Sequence, residues 1–292
     1  MTHVKPADLV TRMIDAGEAK VHLSTRDTLI RAFMGAALLT IAAAFAVTVS
    51  TETGEPLLGA ILFPVGFCML YLLGFDLLTG VFTLAPLAWL AKRPGVTVRA
   101  VLRNWGLVFV GNLAGAIMVA VLMAVYFTYG FSTEPSEVGQ AIGVIGEGRT
   151  VGYADHGAAG MLTLFVRGVL CNWMVSTGVV FAMVSTSVLG KVVAMWMPVM
   201  LFFYMGFEHS IVNMFLFPAG LMLGADFTIV DYLVWNEIPT VVGNLVGGLV
   251  FVGLAMYATH GRTAPSRRPA VPVAAGGPTP TEPTAGRERE LV

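Results

Sequence analysis

Apolar residues in this chain come in long blocks rather than in alternation. Blocks fall at about 29–50, 57–91, 104–129, 158–185, 189–223 and 235–259. A run of roughly 20 apolar residues matches a helix crossing a ~30 Å hydrocarbon layer. The pattern therefore predicts an all-α membrane protein with six transmembrane helices joined by short connections. The second and fifth blocks run to about 35 residues, too long for one straight crossing. Each is interrupted by polar groups, at Asp76-Leu77-Leu78-Thr79-Gly80 and at Glu208-His209-Ser210, so both are expected to be broken helices.

The chain also resembles itself. A shift of 132 positions, from 74 to 206, lays Gly74-Phe75-Asp76 on Gly206-Phe207-Glu208, Pro86 on Pro218 and Asn104 on Asn236. In the same register Gly111-Asn112-Leu113 meets Gly243-Asn244-Leu245, and Gly115 meets Gly247. Each unit holds three spans, an odd number, so the copies must cross the membrane in opposite directions. The result is two inverted three-helix repeats, with helices broken at equivalent places, an arrangement suited to transport. Non-helical backbone at membrane depth persists only where protein buries it or where it lines a water-accessible path.

Composition agrees: of 292 residues 56% are hydrophobic and 12% charged, against roughly 25% charged in soluble domains, which excludes an ordinary soluble enzyme. The net charge of −1 gives no reason to expect a nucleic-acid partner. Its distribution says more. With the N-terminus inside, 15 of the 17 Lys and Arg residues fall on the cytoplasmic side. The opposite loops are assigned Glu52, Glu55, Glu134, Glu137, Glu147, Asp155, Asp226, Asp231 and Glu237, with Arg149 as their cation. The positive-inside rule then predicts a multi-pass cell-membrane protein with both termini in the cytoplasm.

The chain divides into three regions. Residues 1–28 are a polar cytoplasmic segment without a signal-peptide core. It can form an amphipathic helix with Leu9, Met13 and Ala16 on one side, either solvated at the membrane surface or acting as a plug. Residues 29–260 form the transmembrane channel domain. Residues 261–292, rich in Pro, Ala, Gly, Thr and Arg, are expected to be a disordered cytoplasmic tail. Cys68 and Cys171 lie inside apolar blocks and offer no disulfide framework or metal-ligand spacing. No metal or cofactor is expected.

The candidate residues cluster at the breaks. Asp76 and Glu208 suit the N-termini of the half-helices after them, where a carboxylate can accept orphan N–H groups and stabilise the loop. Gly111, Gly115, Gly243 and Gly247 are explained by close helix packing. Asn112 and Asn244 either pin a broken loop or touch a permeant. Of the histidines, His209 sits inside a membrane segment, and an ionisable residue there is a functional candidate by default.

Gly206-Phe207-Glu208-His209-Ser210-Ile211-Val212-Asn213-Met214-Phe215, Cys171-Asn172-Trp173, Asn104-Trp105 with Gly111-Asn112-Leu113, and Asp76-Leu77-Leu78-Thr79 together resemble the formate/nitrite transporter family over about residues 10 to 260. The resemblance implies a homopentamer with one pore per subunit, an aquaporin-like arrangement of six spans, and small monovalent anions as substrates. By position it makes His209 the central pore histidine and Thr79 its hydrogen-bonding partner, with Asn172 and Asn244 at or near the pore. Phe63, Phe67, Leu77, Leu78, Val175 and Phe202 fall at its apolar constrictions. The family commonly carries a vestibule lysine before the fourth span, where this chain reads Asp155-His156-Gly157, leaving His156 as a cation only when protonated. Leu-Leu-Thr replaces an aromatic residue that is frequent before the threonine.

A bare anion in an apolar constriction carries a desolvation penalty of several kcal/mol. Protonating a weak acid of pKa near 4 at pH 7 costs about 4 kcal/mol, and a nearby donor lowers that. The expected activity is pH-dependent transport of formate or nitrite, with proton transfer or neutralisation at His209. An aquaporin-like channel for neutral solutes is the competing reading, although both Asn-Pro-Ala boxes are missing. A membrane enzyme is disfavoured, since the sequence has no nucleophile with a paired base, phosphate loop or cofactor motif.

Overall fold

The computed structural model describes residues 3–261; the predicted tail beyond Gly261 lies outside the described residues. Regular structure there is helical: α1 Pro6–Val21, α2 Thr25–Thr53, α3 Pro56–Leu72, α4 Leu78–Leu90, α5 Val98–Phe127, α6 Glu137–Gly148, α7 Gly157–Val184, α8 Val188–Tyr204, α9 Ser210–Met222 and α10 Ile229–His260. Among the described residues, α2, α5, α7 and α10 are each long and apolar enough to cross a membrane. The second and fifth apolar blocks are each divided in two, as α3 with α4 and as α8 with α9, at the polar interruptions the sequence marks.

Local chemistry sets these boundaries. Ser24, Thr97, Ser136, Ser187 and Thr228 cap α2, α5, α6, α8 and α10 by accepting backbone N–H groups. Pro6 and Pro56 occupy first turns, where a missing N–H does no harm. Pro64 divides α3 after Phe63. Two turns of α10, Leu233–Glu237 and Leu249–Leu254, are π-helical.

The core forms where small residues let backbones meet. A methyl group built on Gly111 would lie 2.6 Å from the Ala32 Cβ, and one on Gly115 would strike the Phe33 carbonyl. On the other half, one on Gly243 would lie 2.7 Å from the Phe165 carbonyl, and one on Gly247 would strike that of Val169. Thus α5 presses on α2 and α10 on α7 through equivalent glycines. Large apolar side chains such as Leu122, Leu162, Val193 and Ile238 point outward, as a hydrocarbon surrounding requires.

The N-terminal helix α1 buries Leu9, Val10, Met13, Ile14, Gly17 and Val21 and packs along α4. Asp15 and Glu18 hold Arg93, at 2.6 and 3.5 Å. Its counterpart by packing is α6, which lies along α9.

Candidate functional site

The two breaks are built alike. After α3 the chain reverses through Gly74 at φ 74°, and after α8 through Gly206 at φ 64°, a left-handed conformation that glycine adopts without a Cβ penalty. The Phe75 N–H donates to the Leu70 carbonyl at 2.9 Å and the Phe207 N–H to that of Phe202 at 3.1 Å, the six-to-one bond of a Schellman ending. Each loop then touches its neighbouring long helix, Asp76 N–H to the Arg31 carbonyl (3.3 Å) and Glu208 N–H to that of Arg167 (3.4 Å).

Two asparagines pin the starts of the half-helices α4 and α9. Asn112 Oδ1 accepts the Leu78 N–H at 2.9 Å, while its Nδ2 donates to the carbonyls of Ala32 (2.7 Å) and Asp76 (3.0 Å). Asn244 Oδ1 accepts the Ser210 N–H at 3.0 Å, while its Nδ2 donates to the carbonyls of Gly168 (2.8 Å) and Glu208 (2.9 Å). This corrects the expectation for Asp76 and Glu208: the first N–H of each half-helix goes to an asparagine, not to a carboxylate. For both Asn112 and Asn244, left open between pinning a loop and touching a permeant, the amide is engaged with backbone. Asn172 is likewise internal, donating to the carbonyls of Thr79 (3.1 Å) and Asn244 (2.7 Å) and accepting from Ser176 (3.1 Å).

The freed carboxylates are matched by cations. Asp76 pairs with Lys20, at the end of α1. Glu208, fully buried, lies 3.5 Å from Arg149, just past α6, and accepts from Tyr153 (2.8 Å), Asn213 (3.0 Å) and Asn236 (3.2 Å). The correspondence extends to the main chain, since Asn104 donates to the Lys20 carbonyl at 3.0 Å and Asn236 to that of Arg149 at 2.9 Å. Arg167 in turn donates to the Tyr153 hydroxyl at 2.7 Å. Burial, and then the facing Glu208 carboxylate, push the Tyr153 phenol upward, so it keeps its proton and remains a donor.

His209 is the residue just before α9, and its side chain caps that helix. Nδ1 accepts the Val212 N–H at 3.4 Å, which leaves the proton of a neutral ring on Nε2. That Nε2 lies 3.4 Å from Thr79 Oγ1, so residues of the two breaks meet directly. The imidazole stacks on Phe202, centroids 5.5 Å apart at 24°, and Phe63 abuts Phe202 edge-on at 5.6 Å.

Each partner of this contact lines a separate cavity. One of about 540 Å³ reaches His209 and is lined also by Arg149, Phe202, Phe207 and Val212. The other, about 60 Å³, reaches Thr79 and is lined by Lys20, Phe67, Asp76, Leu77 and Val175. Of the remaining expected constriction residues, Phe63 and Leu78 are buried beside the breaks. His156 is not brought to His209: it sits exposed before α7, in a separate pocket with Tyr153 and Arg167. The roles of Arg149, Arg167, Tyr153 and Glu237 were missed in the sequence. The charge pattern assigns Glu237 to a loop, whereas it lies inside α10 and is buried.

The pattern that defines the formate/nitrite transporter family matches residues 7–258. The chain belongs to the formate/nitrite transporter family. A probable formate transporter of Methanothermobacter thermautotrophicus is 32% identical over 87% of this chain and 96% of its own length. The formate channel FocA of Escherichia coli K12 is 29% identical over 87% of this chain and 94% of its own length. Among solved structures, a pentameric formate channel with formate bound superimposes with a TM-score of 0.66 and 26% identity, over 80% of this chain and 96% of that one. As a member of this family the chain is a membrane protein of the anion-transport class, with an all-helical channel fold.

Proposed function

We propose that this chain carries small monovalent anions of weak acids, formate first, through a path in each subunit that narrows at Thr79 and His209. The observation that carries this reading is the 3.4 Å contact between Thr79 Oγ1 and His209 Nε2, with a cavity lined by each partner. Six crossings, with α3–α4 and α8–α9 each counted as one broken helix, put the two halves in opposite orientation; the matched hydrogen bonds at the breaks support this inverted repeat. Both termini then face the cytoplasm, with Lys20 at the inner vestibule and Arg149 at the outer. Likeness to a pentameric formate channel supports a homopentamer.

The electrostatics favour an anion. Asp76 and Glu208 are each neutralised by a cation, so neither presents a bare charge to a negative permeant. The N-termini of α4 and α9 converge where Thr79 and His209 meet, each contributing roughly half a positive charge. Phe202, Phe67, Leu77 and Val175 strip water on either side, which penalises the ion and favours its neutral acid. The Nε2–H of His209 is placed to donate to an anionic oxygen in place of Thr79, easing neutralisation there. Flux driven by weak-acid protonation rises as pH falls.

The test is uptake of formate by the full chain in liposomes, with and without a pH gradient. His209→Phe is expected to abolish the gradient-driven component. Wild-type uptake by that variant would remove His209 from the mechanism, and osmotic swelling in neutral solutes without formate flux would favour the aquaporin-like alternative.

A further inference from the structure

We infer that Glu237 is a second proton-binding site of this path, carrying a proton while anions pass His209 and impeding them when it has lost that proton. The inference rests on the reading of the chain as an anion channel.

Glu237 ends the π-helical turn Leu233–Glu237 of α10, an irregularity frequent at functional sites. Its side chain is buried. Ser210 Oγ lies 2.5 Å from Oε1 and Tyr232 OH 2.9 Å from Oε2. Hydroxyls donate or accept, so this pair of partners accommodates both the acid and its anion. Among the described residues no cation lies within ion-pair distance of it, unlike Asp76 with Lys20 and Glu208 with Arg149. Ionised, a carboxylate so placed has hydrogen bonds but no countercharge, and an ionisable group in a membrane span without one calls for a function.

The architecture does not demand this charge. The position 132 earlier is Trp105, whose Nε1 donates to the Val81 carbonyl at 3.2 Å. Charged and titratable groups on the elements around Glu237 are Glu208 and His209 before α9, Asp231 and Tyr232 on α10, Tyr153 in the turn Val151–Ala154, and Arg167 and Cys171 on α7, with Arg149 beyond. Both arginines are engaged, Arg149 with Glu208 and Arg167 with the Tyr153 hydroxyl. Ionising Glu237 therefore adds a net negative charge beside Ser210, the neighbour of His209. Its proton passes to water and returns from water, and no bond other than O–H changes. An anion arriving at His209 meets repulsion in the ionised state and none in the protonated state.

The experiment is formate uptake by the full chain in liposomes at about pH 5.5 and about pH 8. Glu237→Gln keeps the size and the hydrogen bonds but fixes the group neutral. The ratio of uptake at high pH to uptake at low pH is expected to rise at least about fivefold over wild type. Tyr232→Phe removes a donor to the ionised form, so the pH at which flux falls should move upward. Superimposable profiles for wild type and Glu237→Gln, or a downward shift for Tyr232→Phe, would overturn the inference. Infrared spectroscopy supplies a readout independent of transport: a protonated-carboxyl C=O band that titrates in wild type and is absent from Glu237→Gln. Lack of that band overturns proton holding at Glu237 even if formate is carried. A titrating band with no formate uptake in any protein would instead refute the channel reading, and with it the gating role.

Discussion

Asn112 and Asn244 hold the two helix breaks by the same three hydrogen bonds, each accepting the first N–H of a half-helix and donating to the carbonyl two residues before it and to a neighbouring long helix. All these groups are buried, so loss of either amide orphans a donor and two acceptors. Asn112→Ala and Asn244→Ala are each expected to lose about 2–4 kcal/mol of stability, read as a lower unfolding midpoint in detergent. Wild-type midpoints would show that the breaks hold themselves.

Thr79 contributes two separable groups: its carbonyl fixes Asn172 and its hydroxyl meets His209. Thr79→Ser keeps both, and Thr79→Val keeps the carbonyl and the shape. Formate uptake should survive the first and fall about tenfold or more in the second, corresponding to about 1.4 kcal/mol at the barrier. Equal uptake by the two would show that the hydroxyl takes no part.

Much of this was legible because membrane depth restricts backbone so severely. The long apolar blocks, the two interruptions and the repeated Gly-Asn-Leu-x-Gly segments forecast the broken pairs α3–α4 and α8–α9 and the glycine contacts. The features that the sequence concealed depend on pairing across distance. A carboxylate before a half-helix reads as its cap, yet Asn112 and Asn244, more than 30 residues further on, take that place. Nothing local to Lys20 or Arg149 announces Asp76 or Glu208. The amphipathic α1 leaves surface helix and plug open in the sequence because its packing partner α4 is distant along the chain. Charge counting groups Glu237 with the loop carboxylates because it stands at the very start of the last apolar block; Ser210 and Tyr232, distant or one turn away, supply the hydrogen bonds it has inside.

His156, which the family resemblance offers as a vestibule cation, is exposed and lines a different pocket from His209. A charge there acts on the path through solvent, where screening sets in within about 8 Å at physiological salt. His156→Lys should therefore change formate uptake by less than about twofold at both about pH 5.5 and about pH 8. A large gain confined to high pH would instead make His156 the vestibule cation.

Arg149 is the better candidate for that cation, since it lines the His209 cavity and faces Glu208. Its side chain is 24% exposed while that of Glu208 is fully buried, so the two ends of the pair respond differently to substitution. Arg149→Met leaves a buried carboxylate without its cation and should destabilise the fold by roughly 3–5 kcal/mol. Pairing it with Glu208→Gln removes the stranded charge and keeps hydrogen-bonding groups for Tyr153, Asn213 and Asn236, so most of that stability should return. The double variant then isolates the role in transport: formate uptake at low ionic strength should stay below wild type, and the difference should narrow as salt is added, because attraction by an exposed cation is screened. Recovery of both stability and low-salt uptake would reduce Arg149 to a structural partner of Glu208.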